Sequence, residues 1–265
     1  TVSGFTTTGA SILPDVEAMS HAALLWRSFT HWIGGMGVLV FILAVFPMRG
    51  GNSMILMKAE SPGPSVGKLV PKMKQTAGIL YKIYIALTVL EFILLVIFKM
   101  PIFDSICTAL GTAGTGGFGI KNDSMASYSL PLQWIVIVFM LLFGVNFNAY
   151  FFIIRKQVKK ALGITEVKAY LLIVFASVAI ITVNTLKSAA SLIDAVTASA
   201  FQVSSIIPPT GFSTADFDAW PSLSKGILVT LMFIGACAGS TGGGIKVSRI
   251  LILLKTIKNE MIDRK

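Results

Sequence analysis

The chain has 265 residues, 54% of them hydrophobic and only 13% charged, about half the charge of an ordinary soluble domain. Such an inventory cannot cover a water-facing surface, but it suits one that faces lipid. The net charge of +10 would point to nucleic acid in a soluble domain; here the lysines and arginines fall mainly in short loops between apolar runs, which argues against a nucleic-acid partner and for orientation in a bilayer.

The chain opens TVSGFTTTGAS, with no Met and no charged stretch leading into an apolar one. It therefore shows no signal peptide and reads as a piece of a longer protein. A bilayer core of about 30 Å takes roughly 20 apolar residues as helix, and segments 24–48, 78–98, 132–154, 169–186 and 226–254 are the predicted spans. Two shorter half-apolar stretches, 103–119 and 191–212, follow the second and fourth. Each begins with an acidic residue suited to a helix start, Asp104 or Asp194. Each runs for a few turns and ends in glycine, as a re-entrant helix would on turning back through a loop. Cys107 and Cys237 lie in or beside apolar runs and form neither a disulfide framework nor a CxxC metal site.

The basic residues set the orientation. Loop 49–75 holds Arg49, Lys58, Lys68, Lys72 and Lys74 against Glu60. Loop 155–168 holds Arg155, Lys156, Lys159, Lys160 and Lys168 against Glu166, and the tail carries Lys255, Lys258, Arg264 and Lys265. With five spans these regions share one side, which is the cytoplasm. The re-entrant turns then face outward, with Trp26, Trp134 and Trp220 near the outer helix ends and Asp123, Asp216 and Asp218 beyond the turns. Those aspartates either raise the local cation concentration at an outer mouth or belong to solvated loops.

One pattern recurs: Gly9 in TTTGAS, Gly117 in TGGFG and Gly211 in PTGFSTAD, roughly a hundred residues apart, too far for a solenoid. The order around each is short helix, glycine turn, outer loop, spanning helix. A dehydrated cation needs oxygen ligands, and backbone carbonyls supply them without net charge. Turning them toward one axis takes unusual dihedrals that glycine permits, and the C-terminal end of each short helix adds partial negative charge. A single such turn reads as an ordinary interhelical loop; three in equivalent places outline a cation filter.

TVSGFTTTGAS, TGGFG, PTGFSTADFDAWP, FIGACAGSTGGGIKVSRILILLK, MKAESPGP at 57–64 and FGVNF at 143–147 together resemble the Trk/Ktr/HKT superfamily of potassium transporters, closest to its bacterial TrkH/TrkG branch, over essentially the whole chain. The resemblance implies an all-α integral membrane fold of pseudo-fourfold repeats, each helix, pore helix, filter loop and helix, as in potassium channels. The chain then divides into a partial first repeat (1–50, filter and inner helix, without outer helix and pore helix), a second (76–156) and a third (168–256) with a broken inner helix, while the fourth is missing. It implies Thr7, Thr8, Gly9, Thr115, Gly116, Gly117, Pro209, Thr210 and Gly211 as filter residues that hold K⁺, the transported ion, with no covalent cofactor. It further implies a homodimer in the bacterial inner membrane, and a cytosolic nucleotide-binding regulatory subunit of RCK type, TrkA-like, near loops 49–75 and 155–168. The third strand departs from the pattern: Pro208 and Pro209 stand where threonines are expected and remove two N–H donors.

The run from about 223 to 254 would reach some 48 Å as one helix, well past the hydrocarbon core. Its middle, GACAGSTGGG, holds five glycines and is poor helix, so a helix broken inside the membrane beside a water-filled path is expected. By the resemblance this is an intramembrane gate of Gly239, Ser240, Thr241, Gly242, Gly243 and Gly244. Lys246 and Arg249 follow it, and two readings stand: they snorkel to the interface, or Lys246 hinders cations at the inner mouth. GSTGGGIK is not a nucleotide P-loop, since Ile245 separates glycine from Lys246 and Val247 replaces the hydroxyl residue.

Glu91, inside the second span, is read as structural, protonated or paired with a neighbouring helix. Arg27 and His31 are read as touching interfacial groups rather than a metal, and Asn146 and Asn148 as bonding between helices. His21 and His31 lack a nucleophile–base pattern, so no enzyme is expected. The alternatives are a non-transporting structural membrane subunit and, more remotely, a membrane-embedded enzyme.

Overall fold

The computed structural model describes residues 1–37 and 73–263. Its helices are α1 (Val2–Phe5), α2 (His21–Gly35), α3 (Met73–Ile97), α4 (Ile102–Ala113), α5 (Leu130–Gly144), α6 (Phe147–Ile154), α7 (Val158–Leu162), α8 (Thr165–Thr185), α9 (Leu192–Ile206), α10 (Ser222–Ile234) and α11 (Val247–Asp263). Among the described residues all other regular structure is a 3-10 turn at Phe217–Ala219, so the fold is all-α.

Two of the predicted spans are helices long and apolar enough to cross a membrane, Gly78–Ile97 within α3 and Thr165–Thr185. The segment expected over 24–48 is helical over His21–Gly35, and its part beyond residue 37 lies outside the described residues, as do residues 49–72 of the first basic loop and the last two residues. Segment 132–154 is not one straight helix: α5 and α6 meet at 94°. Val145 is extended, and the Asn146 side chain caps α6 by accepting from Asn148 N–H at 2.9 Å. Segment 226–254 is also two helices, α10 and α11, with residues 235–246 between them.

The two re-entrant stretches form α4 and α9, with Asp104 and Asp194 in their first turns. In α9 the Ser191 hydroxyl accepts from Asp194 N–H at 3.1 Å and donates to the Asp194 carboxylate at 2.7 Å, a side-chain N-cap that fixes where the helix starts. Prolines do the same for α4 and α10, which begin directly after Pro101 and Pro221.

These short helices sit at the centre. Helix α4 packs against α2, α3 and α5, and α9 against α5, α8 and α10. Ser199 through Pro208 are all buried, and Phe201 and Phe212 join Ala109, Met125 and Met140 in a core shared by α4, α5 and α9. The longer helices keep large apolar side chains exposed, among them Ile85, Val89, Leu172, Phe175 and Val183, which is what a lipid-facing surface requires. The short helices thus end in a buried interior, where their turns are placed.

Candidate functional site

The three glycine turns share one backbone form. In each, the glycine and the residue two before it have positive φ: Thr7 +53° and Gly9 +74°, Thr115 +49° and Gly117 +67°, Pro209 +20° and Gly211 +90°. Alternating positive and negative φ turns successive peptides the same way, and a non-glycine residue rarely adopts the positive-φ form. The N–H groups are tied back to the preceding helix. Thr8, Gly116 and Thr210 donate to the carbonyl five residues earlier, on Ser3, Gly111 and Ser205, at 3.0, 3.2 and 2.8 Å. Two hydroxyls reinforce this, Ser3 donating to Ala10 carbonyl at 2.8 Å and Ser205 to Phe212 carbonyl. The second turn has Gly111 at that place, where a side chain would crowd Phe212.

With the donors so occupied, the carbonyls of Thr7, Thr8 and Gly9, of Thr115, Gly116 and Gly117, and of Pro209, Thr210 and Gly211 accept no hydrogen bond among the described residues. They are free oxygens without net charge. The turns lie side by side in chain order: a Cβ on Gly9 would strike the Gly116 carbonyl, and one on Gly117 the Thr210 carbonyl, while around Gly211 the space is open. Pro209 is the departure that the sequence flagged. Thr7 and Thr115 donate N–H to Gly4 and Thr112 carbonyls, each at 3.0 Å; proline has no such hydrogen, and its ring, which favours φ near −65°, is turned to +20°.

His31 is placed differently from the expectation. His31 is fully buried behind the second turn rather than at an interface. Its ring stacks on Phe118 at 3.9 Å, its Nδ1 accepts Phe118 N–H at 3.4 Å, and it leaves no room for a side chain on Gly116. Arg27 lies over the same Phe118 ring at 4.3 Å. Farther out, Asn122 links the first two outer loops, donating to Asp15 at 2.8 Å and Glu17 at 3.0 Å and accepting from Val16 N–H at 2.8 Å. That amide holds the exposed Asp15 carboxyl below the usual carboxylate range. The second and third loops are joined by Met125 N–H to Ser213 carbonyl, 3.0 Å, and Ser213 N–H to Ser124 hydroxyl, 3.2 Å.

Residues 235–246 lie against the second and third turns. The Thr115 hydroxyl donates to Thr241 carbonyl at 3.1 Å, and Gly242 and Gly243 approach Pro208 and Pro209 so closely that side chains there would collide or press on them. The loop is fastened to the α5–α6 break: Cys237 N–H donates to Gly144 carbonyl at 3.0 Å, Thr241 N–H to Phe143 carbonyl at 3.4 Å, and Phe147 N–H to Gly239 carbonyl at 2.9 Å. Each break supplies the backbone partners that the other lacks. Ser240 turns inward on the loop, its hydroxyl donating to Cys237 carbonyl at 2.6 Å. Lys246 does not snorkel. It is buried, and its ammonium donates to the Gly242 carbonyl, while Gly244, at φ +85°, packs on Gly235.

Sequence reasoning missed Glu166, counted above as one acid in a basic loop. It is buried at the start of α8, and its Oε1 accepts Ala238 N–H at 2.6 Å and Ser248 N–H at 3.0 Å, while Asn146 Nδ2 reaches its Oε2 at 3.4 Å. Asn146 thus bonds between helices as expected, whereas the Asn148 side chain makes no hydrogen bond among the described residues. Glu91 is fully buried beside Thr112 of α4. Among the described residues, no group of three His, Cys, Asp or Glu side chains is placed to hold a metal ion.

The chain is similar to known proteins along its whole length. It is 35% identical over 98% of its residues to the Trk system potassium uptake protein TrkH of Escherichia coli K12, covering 55% of that protein, and 34% identical over 98% to TrkG of the same organism, covering 54%. The crystal structure of the potassium transporter TrkH from Vibrio parahaemolyticus superposes with a TM-score of 0.83 at 33% identity, over 99% of this chain and 55% of that one. The chain therefore spans about half the length of the relatives it matches. The profile of the family described as TrkH, cation transport protein, matches residues 1–265, and the chain belongs to that family.

Proposed function

We propose that this chain supplies three filter strands and an intramembrane gate to a protein that carries K⁺ across the bacterial inner membrane. The observation that carries the reading is the threefold recurrence of one backbone turn with donors tied back and carbonyls left free. Thr7, Thr8 and Gly9, Thr115, Gly116 and Gly117, and Pro209, Thr210 and Gly211 would then replace the hydration shell of the ion. Gly239 to Gly244 form the gate in this reading, and Lys246 adds a fixed positive charge beneath the filter. The division into repeats at 1–50, 76–156 and 168–256 follows the same logic. The Trk relatives support membrane uptake of K⁺ rather than catalysis, and the family resemblance supports a homodimer regulated by an RCK-type cytosolic subunit.

The test is K⁺ and Na⁺ flux into liposomes for the full-length protein and its Gly117→Ser variant. Gly117 holds φ +67° against the Thr210 carbonyl, so the substitution should remove most of the K⁺ preference, by about tenfold or more, while the protein still elutes as a folded species. Unchanged flux and selectivity would leave the turns as mere structure and overturn the filter; no specific K⁺ flux from either protein would mark a non-transporting membrane subunit.

A further inference from the structure

We propose that Glu166 is a positioning residue that latches the intramembrane loop across the conduction path, with the first turn of α11 as its release point. The inference rests on reading 235–246 as a gate. The loop is rich in glycine and has little conformational preference of its own; its internal bonds, such as Ala236 N–H to Gly243 carbonyl at 3.4 Å and Val247 N–H to Ala236 carbonyl at 3.1 Å, close its two ends on each other, and contacts from outside set where the closed loop sits. One carboxylate oxygen accepts N–H groups from both ends of the loop region, Ala238 near its start and Ser248 in the first turn of α11. Two N–H groups converge on this one buried oxygen, and a hydrogen bond to a buried acceptor counts for more than one in water. The second oxygen faces Asn146, so the same side chain also reaches the α5–α6 break on which the loop hangs.

The anchor and the lever differ in kind. Glu166 stands at the start of α8, a helix long enough to span and packed against α9 and α10. Helix α11 is exposed along most of its length from Arg249 onward, and carries Lys255 and Lys258 on that exposed length. A movement of α11 relative to α8 has to break the Ser248 bond, and the oxygen it leaves is the one that positions Ala238. Motion outside the membrane body is thereby passed to the loop through one atom, without contact with the filter carbonyls.

The experiment uses the full-length protein in liposomes without any soluble partner, with K⁺ and Na⁺ flux normalised to reconstituted protein. Glu166→Ala should raise K⁺ flux about tenfold with the K⁺/Na⁺ ratio unchanged. Glu166→Gln should give a smaller rise, because an amide oxygen still accepts both N–H groups. A flux equal to or below that of the wild type at an unchanged ratio would overturn the latch. So would a fall in the ratio like that of Gly117→Ser, because Glu166 would then be shaping the filter. Should Glu166→Ala fail to fold, Ser248→Pro removes one donor in the first turn of a helix, where proline is tolerated; about threefold higher flux is expected, and no change would overturn the proposal. Gly117→Ser in the same vesicles separates the two readings. If it shifts selectivity while the Glu166 and Ser248 variants do nothing, the filter stands and the latch falls.

Discussion

The three glycine turns and the loop at 235–246 are both built on glycine, yet they are held in different ways. Each turn is fixed by its own helix: the bonds from Thr8, Gly116 and Thr210 reach back five residues, and the same geometry appears three times. The loop at 235–246 closes on itself through Ala236, Gly242 and Gly243, but its place against the turns is fixed from elsewhere in the chain. Its partners Phe143, Gly144, Phe147 and Glu166 lie some seventy to a hundred residues earlier. A locally held element keeps its shape when its surroundings shift, as the oxygens of the proposed filter need. An element held from outside changes shape when its holders move, which is what a gate requires.

The comparison can be broken most severely at Gly235. It ends α10 at φ +72° and ψ −169°, a region essentially confined to glycine, where another residue costs about 1–3 kcal/mol. A Cβ would also lie 2.7 Å from the Gly244 Cα. Gly235→Ala should lower the melting temperature of the detergent-purified protein by about 2–4 °C per kcal/mol, and raise leak while the K⁺/Na⁺ ratio holds. Loss of selectivity together with stability would mean that loop and filter are one unit.

The same division explains what the sequence made legible. The turns announce themselves because their determinants are contiguous: a helix start at Asp104 or Asp194, a few turns, then glycine. The α10–α11 break was legible for the same reason, as five glycines interrupt a run too long for one span. The α5–α6 break was hidden in a long, mostly apolar stretch. Its only local sign is Gly144–Val145–Asn146, where Gly144 gives way to the Tyr170 hydroxyl and Asn146 caps the next helix. Glu166 and His31 were missed because their partners are distant in sequence. A carboxylate among lysines looks like loop charge, and a histidine four residues from an arginine looks like a surface pair; only the fold brings Ser248 to the first and Phe118 to the second.

A milder probe acts where the two regions touch. The Thr115 hydroxyl is shared between its neighbour Gly114, at 2.8 Å, and Thr241 of the loop, at 3.1 Å. Thr115→Val keeps the branched shape at φ +49° and removes only the donor. A net hydrogen bond is worth about 1 kcal/mol, so the loop should be displaced more often, and K⁺ flux without a soluble partner should rise about fivefold with selectivity intact. A fall in the K⁺/Na⁺ ratio would instead show that the loop helps to hold the second turn in register.

The smallest effect, and the sharpest for the comparison, is expected at Pro209. It too lies where the regions meet: it occupies the place of Thr7 and Thr115 in its turn, and its ring lies against Gly243. If the turn dominates, Pro209→Thr should stabilise the protein. The new N–H would reach Ile206 carbonyl as Thr7 reaches Gly4 and Thr115 reaches Thr112, and a residue freed from the proline ring would sit more easily at positive φ. Against these gains stands the greater freedom of the unfolded chain, about 0.4–1 kcal/mol, leaving a net of about 1 kcal/mol, read as a rise in melting temperature. If the variant melts lower and leaks K⁺ at an unchanged K⁺/Na⁺ ratio, then the ring is retained to brace the loop. In that case the third strand gives up part of its own local hold to anchor the gate.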